Sequence, residues 1–114
     1  MPNQYAVSAL LATPASSIGQ AYGSPNDPGN LLVAMVSMSG SNVQAVTDTA
    51  GNVWTPVMQS QTDGTVEVWT CASGVGGANT VTATFSMSVA SRRLTVVELG
   101  TVTVAPQAGG WTGY

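Results

Sequence analysis

The stretch 43–57, VQAVTDTAGNVWTPV, places two strand-like runs on either side of a short polar segment. The runs 43–48 and 53–60 are rich in Val and Thr, whose β-branched side chains favour extended backbone. Between them, Asp48 to Asn52 combines oxygen-bearing side chains with a glycine. The stretch therefore predicts two strands joined by a turn, and it raises the question of whether the turn also binds a ligand.

The same pattern of short strands separated by turn residues recurs along the whole chain. Period-two alternation and β-branched runs predict strands, while no segment shows convincing helical periodicity. About eight short strands are predicted, over residues 4–12, 31–38, 43–48, 53–60, 65–72, 80–86, 92–99 and 101–105, with a further edge strand around 18–22. This spacing predicts an all-β fold, a single antiparallel β-sandwich of the jelly-roll or immunoglobulin-like kind.

Two of these segments carry more specific expectations. Leu31 to Met38, LLVAMVSM, is apolar at both parities, which predicts a central strand buried on both faces. The pair Asp63-Gly64 between two strand-like runs predicts a hairpin turn, because both residues tolerate positive φ.

The length of the chain predicts one folded domain. We expect residues 1–105 to form the β-sandwich and residues 106–114, PQAGGWTGY, to form a Gly-rich tail. The tail carries Trp111 and Tyr114, which are candidates for contact with a neighbouring subunit. The first residues lack the basic region of a signal peptide, so they are interpreted as part of the mature protein.

Charge is scarce in this sequence. Charged residues make up 6% of the chain, there is no Lys or His, and the formal net charge is −3; an ordinary soluble domain has about 25%. Binding to nucleic acid or to an anionic membrane surface requires clustered cations, so neither partner is expected. The longest apolar run, 31–36, is far shorter than the ~20 residues that span a bilayer.

The side chains needed for catalysis are also missing. Cys71 has no second cysteine to pair with and no histidine to activate it, so a buried, inert thiol is expected. Glu67 and Glu98 lie in predicted strands, where we expect them to face solvent or to pair with Arg92 or Arg93 across strands rather than to act as a catalytic pair. The sequence therefore predicts no enzyme, no catalytic residue and no cofactor.

Asp48 and Asn52 are the candidate metal ligands, since calcium binds carboxylate and amide oxygens. Calcium requires six to eight oxygens, however, and this segment offers a single carboxylate. A hairpin connection explains the same residues, with Asp48 accepting backbone N–H groups and Gly51-Asn52 adopting positive φ. The turn is the favoured interpretation, and no metal site is predicted.

The tryptophans leave two alternatives open. Trp54 and Trp69 lie at the parity opposite to Val53, Val57, Val66 and Val68, so the two sets face opposite sides of their strands. Either the rings pack in the core, or they form an exposed platform for a sugar ring or a protein neighbour. With Trp111 and Tyr114, they are the candidate interface or ligand-binding residues.

Taken in order, several motifs resemble a known module. GNLLVA at 29–34, DTAGNVW at 48–54, VEVW at 66–69, GANTVT at 77–82 and VVEL at 96–99 resemble a β-sandwich module recurrent in phage structural proteins and bacterial surface proteins. The resemblance covers about residues 29–100 and implies a role in interaction or in a virion, with no catalytic residues to carry over. Residues after Gly100 depart from the module's pattern.

The absence of Lys bears on assembly, because open sheet edges are usually protected by charges. Either the edges are covered in an assembly, or the host genome disfavours Lys codons. We expect a non-enzymatic structural protein of a viral particle, above all a phage capsid decoration or another virion component that assembles through its strand edges and tail, located in the virion. Its expected partners are other copies of itself and a major capsid or fibre protein. The alternatives are a glycan-binding module of a tail fibre or adhesin and a subunit of an extracellular filament, located outside the cell or on its surface.

Overall fold

The structure, a computed structural model, describes residues 3–8, 11–59 and 66–100. Within these ranges the chain forms strands and no helix, as the sequence predicts. The strands are β1 (Gln4–Val7), β2 (Ala15–Ala21), β3 (Leu31–Met38), β4 (Val43–Asp48), β5 (Thr55–Met58), β6 (Val66–Cys71), β7 (Thr80–Val89) and β8 (Arg92–Leu99). The bounds predicted for β3, β4 and β8 are confirmed.

The strands form two antiparallel sheets that pack as a sandwich. One sheet has the order β1-β8-β3-β6-β5 and the other the order β2-β7-β4. The pairs β1–β8, β2–β7 and β3–β6 are those of a jelly roll, in which a long hairpin wraps around itself. Only β5 departs from that scheme, because it pairs with β6 instead of β4. The predicted β-sandwich is confirmed, and its connectivity is of the jelly-roll kind.

The core lies between the two sheets and is filled by alternate residues of each strand. The central strands contribute its fully buried members, such as Leu32 and Val36 of β3, Val81 of β7 and Val96 of β8. In β7, Val81, Ala83 and Phe85 point inward, as the alternation of TVTATFS predicts. This set, extended by Trp54 and Trp69, forms one continuous cluster.

The prediction that β3 is buried on both faces is wrong. β3 is the central strand of the five-stranded sheet, but only Leu32, Ala34, Val36 and Met38 are buried. Met35 is 38% exposed on the other side, because no second layer covers that side in the described part of the chain. In β3 the apolar residues of the second parity therefore lie on a side that the described residues leave uncovered.

We call this uncovered side of the five-stranded sheet the outer face. Cross-strand register aligns its side chains in two central rows, since directly opposed residues point to the same side of a sheet. The rows are Tyr5–Val97–Val33–Thr70–Thr55 and Val7–Thr95–Met35–Val68–Met58. Neither row contains a charged residue. The two rows are thus uncharged and mostly apolar, and their polar groups are the hydroxyls of three threonines and of Tyr5.

The edges of the sheets are protected against pairing with other strands, although the absence of Lys predicts unprotected edges. β1 and β5 are four residues long, and β5 contains Pro56, which cannot donate a backbone hydrogen bond. The register shifts in β2, β4 and β5 at the places where they pair with their neighbours. Short strands, proline and bulges are established ways of blocking edge-to-edge pairing, so these edges are protected without charge.

Several predictions fall outside the described residues. The Asp63-Gly64 turn, the strand 101–105 and the tail 106–114 with Trp111 and Tyr114 belong to this group. The antiparallel pairing of β5 with β6, on either side of that turn, is described.

Gly74 gives a test of the packing between the loop 72–79 and β3. A Cβ at this position would lie 2.8 Å from Cδ1 and 3.1 Å from Cγ of Leu32, which is fully buried. The backbone of Gly74 cannot move away easily, because it exchanges hydrogen bonds with Gly29 and Asn30. We expect Gly74→Ala to lower the free energy of unfolding by about 1–3 kcal/mol through overpacking.

Urea denaturation, with the midpoint and slope fitted together, measures this effect. Gly23→Ala is the matched control, because the nearest heavy atom to its added Cβ is 3.9 Å away. Equal stability losses in the two variants would contradict the packing argument.

Candidate functional site

Glu98 is the centre of a polar cluster at one end of the sandwich. It lies on the inward side of β8, is 0% exposed and accepts four hydrogen bonds. Its Oε1 accepts from Gln4 Nε2 at 2.7 Å and from Asn26 Nδ2 at 3.1 Å. Its Oε2 accepts from the Asp27 backbone N–H and from Asn30 Nδ2, both at 2.8 Å. A carboxylate that would be costly to bury alone is therefore stabilised by neutral donors.

Asp48 ends β4 and forms a second centre in the same region. Its Oδ1 accepts the Asn52 backbone N–H at 2.9 Å. Its Oδ2 accepts from Asn52 Nδ2 at 2.7 Å, Trp54 Nε1 at 3.0 Å and Asn79 Nδ2 at 3.0 Å. Gly51 has a φ of 84°, a conformation that glycine adopts without strain. The turn predicted at Asp48 is confirmed, including its acceptance of a backbone N–H.

The prediction that this turn is a hairpin connection is wrong. β4 belongs to the three-stranded sheet and β5 to the five-stranded one, so residues 49–54 cross between the sheets. The carboxylate of Asp48 consequently binds Trp54, which precedes β5 of the five-stranded sheet, and Asn79, which precedes β7 of the three-stranded sheet.

Asn79 joins the two acidic centres into one network. Its Nδ2 donates to Asp48 Oδ2 and to Asn26 Oδ1, at 3.0 and 3.1 Å, and Asn26 in turn binds Glu98. We call this set of side chains the loop-end network: Gln4, Asn26, Asn30, Asp48, Asn52, Trp54, Asn79 and Glu98. It ties together the three loops 22–30, 49–54 and 72–79, each of which crosses from one sheet to the other.

Tyr22 borders the network and contributes a bond to the five-stranded sheet. Its hydroxyl donates to the Val97 backbone oxygen at 2.8 Å. Burial raises the pKa of the Tyr22 hydroxyl, and the nearby carboxylates of Glu98 and Asp48 raise it further. The hydroxyl is therefore held in its neutral, donating form.

Glu67 occupies a similar position at the opposite end of the core. It lies on the inward side of β6 and is 0% exposed. Its Oε2 accepts the Val43 backbone N–H at 2.9 Å, which links β6 to β4 of the other sheet. Its Oε1 accepts from Trp69 Nε1 at 3.2 Å and from Gln59 Nε2 at 3.4 Å.

The expectation that Glu67 and Glu98 face solvent or pair with arginine is wrong. Both are buried and bind neutral N–H donors. Arg92 is itself buried, and its guanidinium donates to the backbone oxygens of Ser17 and Thr13. Arg93 lies on the exposed side of β8. Both glutamates and Arg92 bind at least one group that lies outside their own sheet.

The two described tryptophans are core residues, so neither ring offers a stacking platform. Trp54 and Trp69 are 6% and 7% exposed, and each indole N–H donates to a carboxylate, that of Asp48 and Glu67 respectively. Val53 and Val57, at the opposite parity, are exposed. Of the two alternatives left open by the sequence, the structure fits core packing.

The candidate metal ligands are already engaged by hydrogen-bond donors. Both oxygens of Asp48 accept N–H groups, and Asn52 Oδ1 accepts the Val75 backbone N–H at 2.8 Å. Among residues 3–8, 11–59 and 66–100, no three Cys, Asp or Glu side chains come together as a metal site. Cys71 is free and buried. The chemistry that these side chains perform in the fold is hydrogen bonding.

Two amide oxygens of the loop-end network have no partner in the described part of the structure. These are Oδ1 of Asn30 and Oδ1 of Asn79, both buried. Each of these residues uses its Nδ2 to bind a carboxylate, which orients the amide and directs its oxygen away from that carboxylate. The donation to Glu98 and Asp48 thus has a cost, since a buried acceptor without a hydrogen bond is unfavourable.

The hydrogen bonds also change the acidity of two carboxyl groups. Burial raises the pKa of Asp48 and of Glu98, but the N–H groups that donate to them outweigh burial. For Glu98 these donors are Gln4, the Asp27 backbone, Asn30 and Asn26; for Asp48 they are Asn52, Asn79 and Trp54. The pKa of each carboxyl therefore lies below its ordinary value, and both are ionised at neutral pH.

Most residues of the network lie within the sequence motifs, but the motifs alone do not predict that these side chains bind one another. Asn30 belongs to GNLLVA, Asp48, Asn52 and Trp54 to DTAGNVW, Asn79 to GANTVT, and Glu98 to VVEL. Asn26 and Gln4 lie outside these motifs. The signal that could have revealed Glu98 is its parity: it alternates with Leu94 and Val96, both buried.

Comparisons with protein-family models, curated proteins and solved structures found no match to this chain. The described residues include no helix of the length and apolarity needed to cross a membrane.

Glu98→Gln tests the central carboxylate. The substitution places an NH₂ group where two N–H donors converge, and so leaves buried donors without an acceptor. We expect it to lower the free energy of unfolding by about 1–3 kcal/mol, measured by urea denaturation. Asp27→Asn is the matched control: it removes the same charge nearby, while only the Asp27 backbone N–H binds Glu98. If Asp27→Asn lowered the free energy of unfolding as much as Glu98→Gln, the loss of charge, and not the loss of a hydrogen-bond acceptor, would be responsible.

The lowered pKa values predict a dependence of stability on pH. The ordinary values are 3.8 for Asp48 and 4.5 for Glu98, and both are lower in the folded chain. Their stabilisation is complete above the ordinary values and is lost as pH falls through the folded-state values. We expect the free energy of unfolding to decrease steadily below about pH 4.5. Urea denaturation at several pH values between about 7 and 2.5 measures it; Glu98→Gln should show a shallower decrease, and an unchanged slope would contradict the assignment.

Proposed function

We propose that this chain is a non-catalytic structural protein of a viral particle, a phage virion component of the capsid-decoration type. The observation that carries this proposal is the contrast between the ionisable side chains inside the sandwich and the apolar face on its outside. The buried Glu67, Glu98 and Arg92 and the half-buried Asp48 are all used to hold the two sheets together. What the fold presents outward is an apolar sheet face, a feature of proteins that bind other proteins.

The resemblance of the ordered motifs to modules of phage structural proteins points to the same role. The motif residues that form the loop-end network explain what such a pattern does: it fixes three crossing loops in one arrangement. A rigid sandwich suits a protein that is assembled in many copies. The proposed partners are further copies of the chain and a capsid or fibre protein.

The alternatives receive less support from the geometry. A glycan-binding module would present several aromatic rings to solvent; Trp54 and Trp69 are both buried, and Tyr5 is the one exposed aromatic ring among the described residues. A filament built by strand addition would need an open edge, and the edge strands are short, bulged or interrupted by Pro56. The apolar outer face favours contact between folded domains.

The virion role is tested on viral particles purified from a culture that produces this protein. Particles purified by density gradient are analysed by quantitative mass spectrometry and by immunogold electron microscopy with antibodies against the purified chain. We expect the chain to sediment with the particles in a fixed ratio to the major capsid protein and to be labelled on their surface. Particles from a strain with the gene disrupted provide the control. A chain that is expressed but absent from the particle fraction would overturn the proposal.

A further inference from the structure

We infer that the outer face of the five-stranded sheet is a homodimer interface, on which a second copy of this chain packs through the same face. The inference deepens the proposed structural role and rests on it, because it names the surface and the occupant. It stands on three observations: the continuity of the apolar rows, the placement of charge, and the area available.

The apolar rows extend across all five strands without interruption by charge. At their centre lie Val33 and Met35 of β3, flanked by Val97 of β8 and Val68 of β6. Met35 is 38% exposed and Met58, at the far end of its row, is 50% exposed. A contiguous apolar patch of this kind is uncommon on a monomeric protein and marks an interaction surface.

The placement of charge favours a second copy as the occupant. A surface that packs on itself by a two-fold axis must place every group against its own equivalent or near it. The central rows have no charged residue, so self-packing neither buries an unpaired charge nor opposes like charges. Arg93, the charged side chain on the outward side of β8, lies opposite Ser37 and outside the two central rows. A partner recognised through charge would find no complementary group there.

The area fits a weak contact between two copies. The five strands of this sheet contain 30 residues, since β1 and β5 have four each and β6 has six. At about 3.3 Å along a strand and about 4.8 Å between strands, they cover about 475 Å² in each copy, or about 950 Å² in total. Stable biological interfaces exceed roughly 1,000 Å², and smaller ones are weak or transient. We accordingly expect a dimer that dissociates on dilution.

The central methionine provides the decisive variant. Met35→Asp introduces a charge that the dimer would bury without a partner, while in the monomer the side chain is partly exposed and the fold is retained. Met87→Asp is the matched control: the same substitution in β7 of the other sheet, at a residue that is 60% exposed. Met58→Asp, on the outer face but in an edge strand, serves as a second variant should Met35→Asp fail to fold by circular dichroism.

The full-length chain and its variants are compared by sedimentation velocity over a wide range of concentration. We expect wild type and Met87→Asp to dimerise with the same affinity, and the outer-face variants to dimerise at least ~30-fold more weakly, the loss typical of a central interface residue. A wild-type chain that remains monomeric would overturn the second copy as occupant. A dimer unaffected by the outer-face variants would overturn the choice of face. Either result leaves the virion role to the particle experiment, which does not depend on dimerisation.

Discussion

The structure depends on carboxylates that are held inside the sandwich by neutral N–H donors. Glu98 and Glu67 are fully buried, and each is satisfied by amide, indole or backbone groups without a cation. An isolated carboxylate in such a place would be protonated or would unfold the region around it. Because each carboxylate accepts hydrogen bonds from several donors in fixed positions, it becomes a point of attachment for distant parts of the chain.

The position of these attachments follows from the jelly-roll connectivity. The loops 22–30, 49–54 and 72–79 all cross between sheets at one end, beyond the strand ladders. Backbone hydrogen bonds join the first loop to the third, as between Asn26 and Gly77. The loop-end network adds side-chain bonds through Asp48, Asn79 and Glu98. At the other end, Glu67 binds the backbone of β4, and Arg92 binds the backbone of β2. Glu67, Glu98 and Arg92 therefore each join the five-stranded sheet to a segment beyond their own strand ladder.

This arrangement explains which features could be predicted from the sequence. Strand positions follow from local composition, so β3, β4 and β8 were predicted with their observed bounds. The orientation of β6 could not be predicted in the same way, because hydrophobicity alone would place Val66 and Val68 inside and Glu67 outside. The opposite holds, since Glu67 accepts hydrogen bonds from Trp69, two residues away on the same side of β6, and from the Val43 backbone of the other sheet, 24 residues away. Parity rules fail where a buried polar residue has partners that only the tertiary fold provides.

The inverted parity of β6 also accounts for the outer face. Once Glu67, Trp69 and Cys71 fill the inner side of the strand, its valines must point outward. The same exchange occurs on β8, where Glu98 and Arg92 point inward and Val97 and Leu99 outward. The polar groups that hold the sheets together are thus withdrawn from the surface, and apolar residues take their place there. Low surface charge then removes the repulsion that would keep two copies apart. A single constraint, the need to join the sheets through buried polar groups, leads both to a rigid sandwich and to a face suited to contact with another protein.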